Sequence, residues 1–277
     1  MKNKMRYRPL TATPFRRNSA YREIEPCQAL RPYIRCFWGR ECDCSSDTGT
    51  DETSEIVIPD TCVDIIYRIN DVGDIITSDF VGINDRTFHF HKSQKAEYKI
   101  SVFAIRFYAW TAYVFSEDSF AGTVNGRYDV RERYRWLDRE LRGPLAEPGN
   151  LTDLIRLTES LLLKKLETAR SNKLVDGVMN DILLYQGSLE IQQLSKENFI
   201  SSRQMERLFR EYIGMAPKKL SNLVRYQYLW RDIVSQSNFD IASAVFKYGY
   251  TDLPHMMREF KRYHSMNIRE AREMAYR

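Results

Sequence analysis

The chain has 277 residues, 43% of them hydrophobic and 29% charged, enough for two domains of ordinary size, each with its own core. It contains no run of 18 apolar residues, and no apolar stretch follows its basic start Met1-Lys2-Asn3-Lys4-Met5-Arg6. A membrane span and a secretory leader are therefore not expected, and the cytoplasm is the expected compartment. The whole net charge of +5 arises in residues 188–277, where 15 Lys and Arg face 10 Asp and Glu; a polyanionic partner for that third accounts for this, and so does a chance imbalance on a solvated surface.

All five cysteines (Cys27, Cys36, Cys42, Cys44 and Cys62) fall in the first quarter, and an odd count without a leader argues against a disulfide framework. Residues 30–118 read as strands. The segments 55–59 and 62–69 are β-branched and aromatic, separated by Pro59-Asp60; residues 70–74 form a turn before Ile75-Ile76. Residues 87–91 alternate, 98–107 make a long strand, and the polar stretch 42–54 reads as a loop. Short strands at this spacing suggest a small barrel or sandwich. Pro144 to Asn150 reads as a connection, after which Asn150 caps a helix whose apolar residues recur from Leu151 to Leu166. That stripe is most economically a core face, with a dimer seam as the other use. Leu174, Val175, Val178, Met179, Ile182 and Leu183 give a second amphipathic helix.

From Leu189 the rhythm is that of a helix-turn-helix. Leu189, Ile191, Leu194 and Phe199 bury a short helix; Ser201 caps the next, which buries Met205, Leu208 and Phe209. This leaves Arg203, Gln204, Glu206, Arg207 and Arg210 outward, a face suited to the major groove or, equally, to solvent. A long helix over 217–237 reads as basic on one side (Lys218, Lys219, Arg225, Arg231) and apolar on the other. A second short helix from about Asn238, a turn at Gly249-Tyr250-Thr251-Asp252 and a helix through Tyr263 repeat the pattern.

In 208–217 (Leu-Phe-Arg-Glu-Tyr-Ile-Gly-Met-Ala-Pro), and in Ile241-Ala242 through Gly249-Tyr250-Thr251-Asp252 to Phe260-Lys261-Arg262-Tyr263, the chain resembles the AraC/XylS family of bacterial regulators. The resemblance covers about residues 171–277. Residues 30–38, 58–64 and 103–107 resemble the N-terminal sensory domain of one branch of that family, which implies a cupin-like β-barrel with helices behind it. The expected fold therefore has two domains. Residues 1–130 form a β-rich cupin-like barrel, 131–170 a helical extension and linker, and 171–277 an all-α domain with two helix-turn-helix motifs joined by a long helix.

Double-stranded DNA is the implied partner, with RNA polymerase added for an activator. Base-facing family positions fall on Arg203, Glu206 and Arg207 in the first unit, and on Leu253, Pro254, Met257 and Arg258 in the second. Arg207 suits guanine and Glu206 a cytosine amino group; of the second set, Met257 and Arg258 are the candidate base readers, although this unit is expected mainly to anchor phosphates through Arg258, Lys261 and Arg262. Phosphate contacts are expected from Gln204, Arg210, Lys218, Lys219, Lys261 and Arg262. Two departures stand out. Phe199 occupies a turn position that often holds glycine, and Ser265-Met266-Asn267-Ile268 stands where the family commonly has Gly-x-x-Pro, so the last helix is expected to enter at a different angle.

A small-molecule effector in the N-terminal domain is expected against Tyr67, Phe80, Phe90, Phe107 and Trp110, although aromatics in a barrel are more often plain core. A protein-interaction role for that domain, with no ligand, is the rival reading. Thiol oxidation, metal or alkylation sensing through the cysteines is the alternative, as is a cysteine-dependent alkyl-transfer repair enzyme. Their spacing matches no zinc pair, and His89 and His91 lack an evident third ligand. No enzyme motif occurs, so neither a catalytic residue nor a cofactor or metal is expected.

Overall fold

The computed structural model describes residues 7–15, 21–40, 55–90, 100–147 and 150–276. Period-two alternation builds its first half. Val63, Ile65 and Tyr67 of β4 (Cys62–Asn70) are buried, as are Phe103, Ile105 and Phe107 of β7 (Ile100–Tyr108), which pairs with it antiparallel. Around this centre lie β1 (Tyr21–Ile24), β2 (Ile34–Arg40), β5 (Ile75–Val81) and β8 (Arg127–Asp129), giving one six-stranded antiparallel sheet in the order β1-β2-β7-β4-β5-β8. A separate pair joins β3 (Glu55–Val57) to β6 (Phe88–Phe90). The β4–β5 turn closes as the spacing predicts: the Asn70 side-chain oxygen accepts from the Asp74 backbone N–H at 2.7 Å, and Gly73 supplies φ +91°. The expected 42–54 loop lies outside the described residues, as do Cys42, Cys44 and His91.

Two helices cover one face of the sheet. Along α1 (Arg131–Ala146), Tyr134, Leu137 and Leu141 are fully buried, the Tyr134 ring lying 5.9 Å from Phe80 and 6.0 Å from Phe107. The expected connection from Pro144 is shorter than predicted, because α1 continues past this proline to Ala146. Asn150 caps α2 (Leu151–Leu166), its Oδ1 accepting from the Asp153 N–H at 2.9 Å. Ile155 and Leu162 face inward, and Leu151 presses against Gly39 of β2, so this stripe packs on its own sheet.

Seven helices follow: α3 (Lys173–Leu184), α4 (Ile191–Glu197), α5 (Ser202–Tyr212), α6 (Pro217–Ser235), α7 (Ile241–Lys247), α8 (Leu253–His264) and α9 (Ile268–Ala275). The axis of this half is α6, and it differs from the expected amphipathic helix. Of the four cations assigned to a basic side, Arg225 is buried and Arg231 is half-buried over the Tyr228 ring. Burial on nearly all sides follows from position: α3, α5, α8 and α9 touch α6, and the N-terminal segment lies along it. The Gln227 amide accepts from the Leu10 N–H at 2.8 Å and donates to the Pro59 carbonyl at 2.7 Å, while the Trp230 indole donates to Thr11 at 2.9 Å. Among the described residues, no helix is long and apolar enough to cross a membrane.

Candidate nucleic-acid interface

The first outward-facing cationic surface is built by α4 and α5. Glu190 and Gln193 form a capping box at the start of α4, and the Ser201 hydroxyl accepts from the Gln204 N–H at 3.2 Å to start α5. The Asn198 amide holds the turn between them, donating to Asp181 of α3 at 2.7 Å and to the Leu194 carbonyl at 3.0 Å. Met205, Leu208 and Phe209 are buried. Arg203, Gln204, Glu206, Arg207 and Arg210 are therefore all exposed on the opposite face. Within that face Glu206 and Arg210 pair at 2.8 Å, an i,i+4 contact whose spacing was visible in the sequence. Exposed pairs of this kind contribute about 0.3–0.5 kcal/mol, so DNA could separate the two at little cost.

The second surface is built by α7 and α8. Asp240 caps α7 and Asp252 caps α8, where its carboxylate accepts from the His255 N–H at 2.6 Å. Asp232 of α6 anchors α7: Tyr248 donates to it at 2.5 Å, and Lys247 pairs with it. Glu259 anchors α8 to α6. Both Arg225 and Glu259 are about 6% exposed at the side chain, and Nη2 of Arg225 lies 2.8 and 3.0 Å from the two carboxylate oxygens. The Tyr250 hydroxyl donates to the same carboxylate at 2.9 Å, and its ring lies under the guanidinium at 4.2 Å. Arg225 is thus a structural cation holding the second helix pair in place. A lone arginine in sequence carries no sign of this; the Glu259 partner lies 34 residues away.

On α8 the exposed residues include Leu253, Pro254, Arg258, Lys261 and Arg262, and Met257 is half-buried. Pro254 fits because it lies in the first turn, where its missing N–H costs no helix bond. Lys218 and Lys219 are exposed at the start of α6, but Lys219 already has a partner, Asp85 of the β-domain, at 2.9 Å. The Asn125 amide donates to the other Asp85 oxygen at 2.7 Å and, with Lys219, holds this carboxyl below its ordinary pKa against the effect of burial. No sequence signal points to Asp85.

The aromatic residues expected around an effector are placed otherwise. Tyr67, Phe80 and Phe107 are fully buried core residues between the sheet and α1, and Trp110 lies over Tyr7 and Tyr108 at 5.8 and 5.1 Å. The Phe90 side chain lies outside the described residues. Cys36 and Cys62 are buried on strands that both flank β7, so two strand spacings of about 4.8 Å separate them, beyond disulfide reach. Burial pushes the Cys36 thiol up to about 12 and the Cys62 thiol well above its ordinary value, which disfavours the reactive thiolate. His89 is exposed, and no group of three metal-ligating side chains occurs among the described residues.

Comparison with known proteins agrees with this architecture. Residues 194–274 match a helix-turn-helix domain family, and residues 22–127 match a domain of unknown function, DUF6597. No curated protein matches. Solved structures that resemble the chain include an AraC-type transcriptional regulator from Chromobacterium violaceum, 20% identical over 38% of this chain and 94% of that one (TM-score 0.35). A probable AraC family transcriptional regulator from Rhodopseudomonas palustris is 21% identical over 38% of this chain and 98% of that one (TM-score 0.34). ToxT from Vibrio cholerae is 11% identical over 81% of this chain and 95% of that one (TM-score 0.40). The helical half therefore carries a helix-turn-helix domain behind a β-rich region.

Proposed function

We propose that the chain is a sequence-specific transcriptional regulator whose two helix-turn-helix motifs, α4–α5 and α7–α8, enter successive major grooves with α6 as the rigid spacer. The observation that carries this is α5: its apolar residues are buried and all five of its candidate DNA-contacting side chains are exposed on one face. In this reading Arg203, Glu206 and Arg207 read bases, with Gln204 and Arg210 on phosphates. The second motif contributes less readout. Leu253 and Met257 offer apolar contact to a thymine methyl, and Arg258, Lys261 and Arg262 grip the backbone. Lys218 and Lys219 extend the phosphate track. Contact with RNA polymerase belongs to this reading for an activator.

The β-rich domain, cupin-like in the resemblance described above, is proposed as the sensory half. It is wired to the reader at defined points. The Phe120 N–H donates to the Glu211 carbonyl at the end of α5 at 2.8 Å. Gly214 approaches so closely that a Cβ there would meet the Phe120 carbonyl at 2.7 Å. An effector that moves this surface shifts the population of DNA-competent conformers. The test is salt-dependent binding of the full chain to its duplex site. Arg258→Ala should weaken all sequences alike and lower the salt slope by about 1, whereas Arg207→Ala should cost about 1–3 kcal/mol on the preferred site and much less on random duplex. Equal losses from Arg207→Ala on both duplexes would remove the assigned base contact.

A further inference from the structure

Three polar atoms of the sensory half are buried with no hydrogen-bond partner among the described residues: Nη1 of Arg35, the Tyr67 hydroxyl and Oδ1 of Asp138. Tyr67 is 0% exposed and the Asp138 side chain 3%. They share one locale. Tyr67 pairs in register with Ser78 on β5, so the two side chains stand on the same face of the sheet, towards α1. Arg142 of α1 ties the set together, donating from Nε to Oδ2 of Asp138 at 2.7 Å and from Nη2 to the Ser78 hydroxyl at 3.4 Å. The charges acting on the Tyr67 hydroxyl are those of Asp138 first, then Arg142.

Ser78 and Arg142 also line an open cleft of about 610 Å³ at the seam between β5, β8 and α1. The same cleft is lined by Arg127, which pairs with Asp79, by Arg131, which pairs with Asp129 at 2.6 Å, and by Glu132. Arg142 links the cleft to Asp138, which does not itself line it, and is 43% exposed; an outward swing of its side chain would be needed to admit a guest to the two unpartnered oxygens. A buried carboxylate oxygen left without a hydrogen bond is destabilising, which favours a guest that supplies a donor there.

We infer that this seam is a binding site for a small zwitterion of the α-amino acid class, its ammonium inward on Asp138 and Tyr67 and its carboxylate outward on the arginines. The inward group must donate, because one of the two oxygens can only accept, and a cationic donor makes the stronger bond. A simple amine would leave two cations, its own and Arg142, sharing one carboxylate; the ligand's carboxylate restores neutrality. The cleft volume lies in the ordinary range of small-molecule sites. The inference rests on the reading of the N-terminal half as sensory, and moves its location to a seam that shares only Tyr67 with the expected aromatic set.

The test is thermal shift and calorimetry on the full chain with the protein amino acids one at a time, beside the matching decarboxylated amines, carboxylic acids and simple polyols. At least one amino acid should raise Tm and bind stoichiometrically, with its amine and acid analogues at least tenfold weaker. Tyr67→Phe should fold with Tm equal to or above the wild type, because it removes an unpartnered hydroxyl, yet lose at least tenfold in affinity. Asp138→Asn and Arg142→Met should lose more. Failure of every amino acid, binding of polyols alone, or affinity unchanged in Tyr67→Phe would overturn the site. Measuring DNA affinity in parallel separates the two readings. A compound that alters DNA binding without needing Tyr67 sinks this site and keeps the sensory role, whereas an amino acid that binds here without altering DNA affinity does the reverse.

Discussion

His264 shows how a single buried side chain contributes to the pH response of this fold. It is fully buried beside Trp230, Phe260 and Tyr226, its Nδ1 shares a hydrogen bond with the Tyr226 hydroxyl at 2.8 Å, and Nε2 has no hydrogen-bond partner among the described residues. Burial lowers its pKa from 6.5 to about 3, so below pH 6.5 the unfolded chain takes up a proton that the folded chain refuses. The contribution of this residue to stability therefore falls as the pH drops from 6.5 towards 3, by up to about 1.4 kcal/mol per pH unit, against the opposite slope from Asp64, whose carboxyl pKa burial raises to about 7. In His264→Phe that part of the slope should vanish whatever the absolute stability becomes. Parallel urea-midpoint curves for the two proteins between pH 7 and 4 would show that His264 does not titrate as described.

At the scale of elements, two departures from the family pattern resolve into backbone conformation. Phe199, expected on the buried face of the short helix, instead stands in the α4–α5 turn with φ +51° and 96% exposure, because α4 ends at Glu197, and Ser265 ends α8 with φ +62°. Both occupy the left-handed region where glycine is at ease, so the chain keeps the turn geometry and accepts strain. A changed angle for α9 is therefore not required by the loss of glycine. Phe199→Gly and Ser265→Gly should each raise stability by about 0.5–1 kcal/mol, read as a higher Tm. A fall in Tm for both would mean that the side chains do more than the backbone loses. The starts of α2 and α5 were legible because Asn150 and Ser201 are good caps placed just before apolar periodicity. The strands β1 and β8 were not foreseen: they span 4 and 3 residues at the sheet edges, too short for alternation to show.

Across the whole molecule, what the sequence could not reveal is which charges spend themselves inside. The +5 excess of residues 188–277 includes Arg225, consumed by Glu259, and Lys219, engaged by Asp85 of the other half. Such pairings depend on tertiary approach across 34 and 134 residues, which local patterning does not encode. The order of helices and the outward face of α5, by contrast, follow from period and capping alone. In the proposed function the Asp85–Lys219 contact bears on regulation, because a carboxylate of the β-rich half holds a lysine proposed for DNA phosphate. Asp85→Asn should release that lysine, raising DNA affinity by a few-fold at low salt and steepening the salt slope. An unchanged slope would place Lys219 off the phosphate track.

The central claim is that this chain reads DNA sequence, chiefly through α5. Selection of bound duplexes from a random-sequence library, run on the wild type, Arg207→Ala and Arg258→Ala at one salt concentration, tests it most directly. Expected are one enriched motif for the wild type, loss of discrimination at a single position for Arg207→Ala, and the same motif bound more weakly by Arg258→Ala. No enriched motif in the wild type, or a motif that survives Arg207→Ala and disappears in Arg258→Ala, would contradict it.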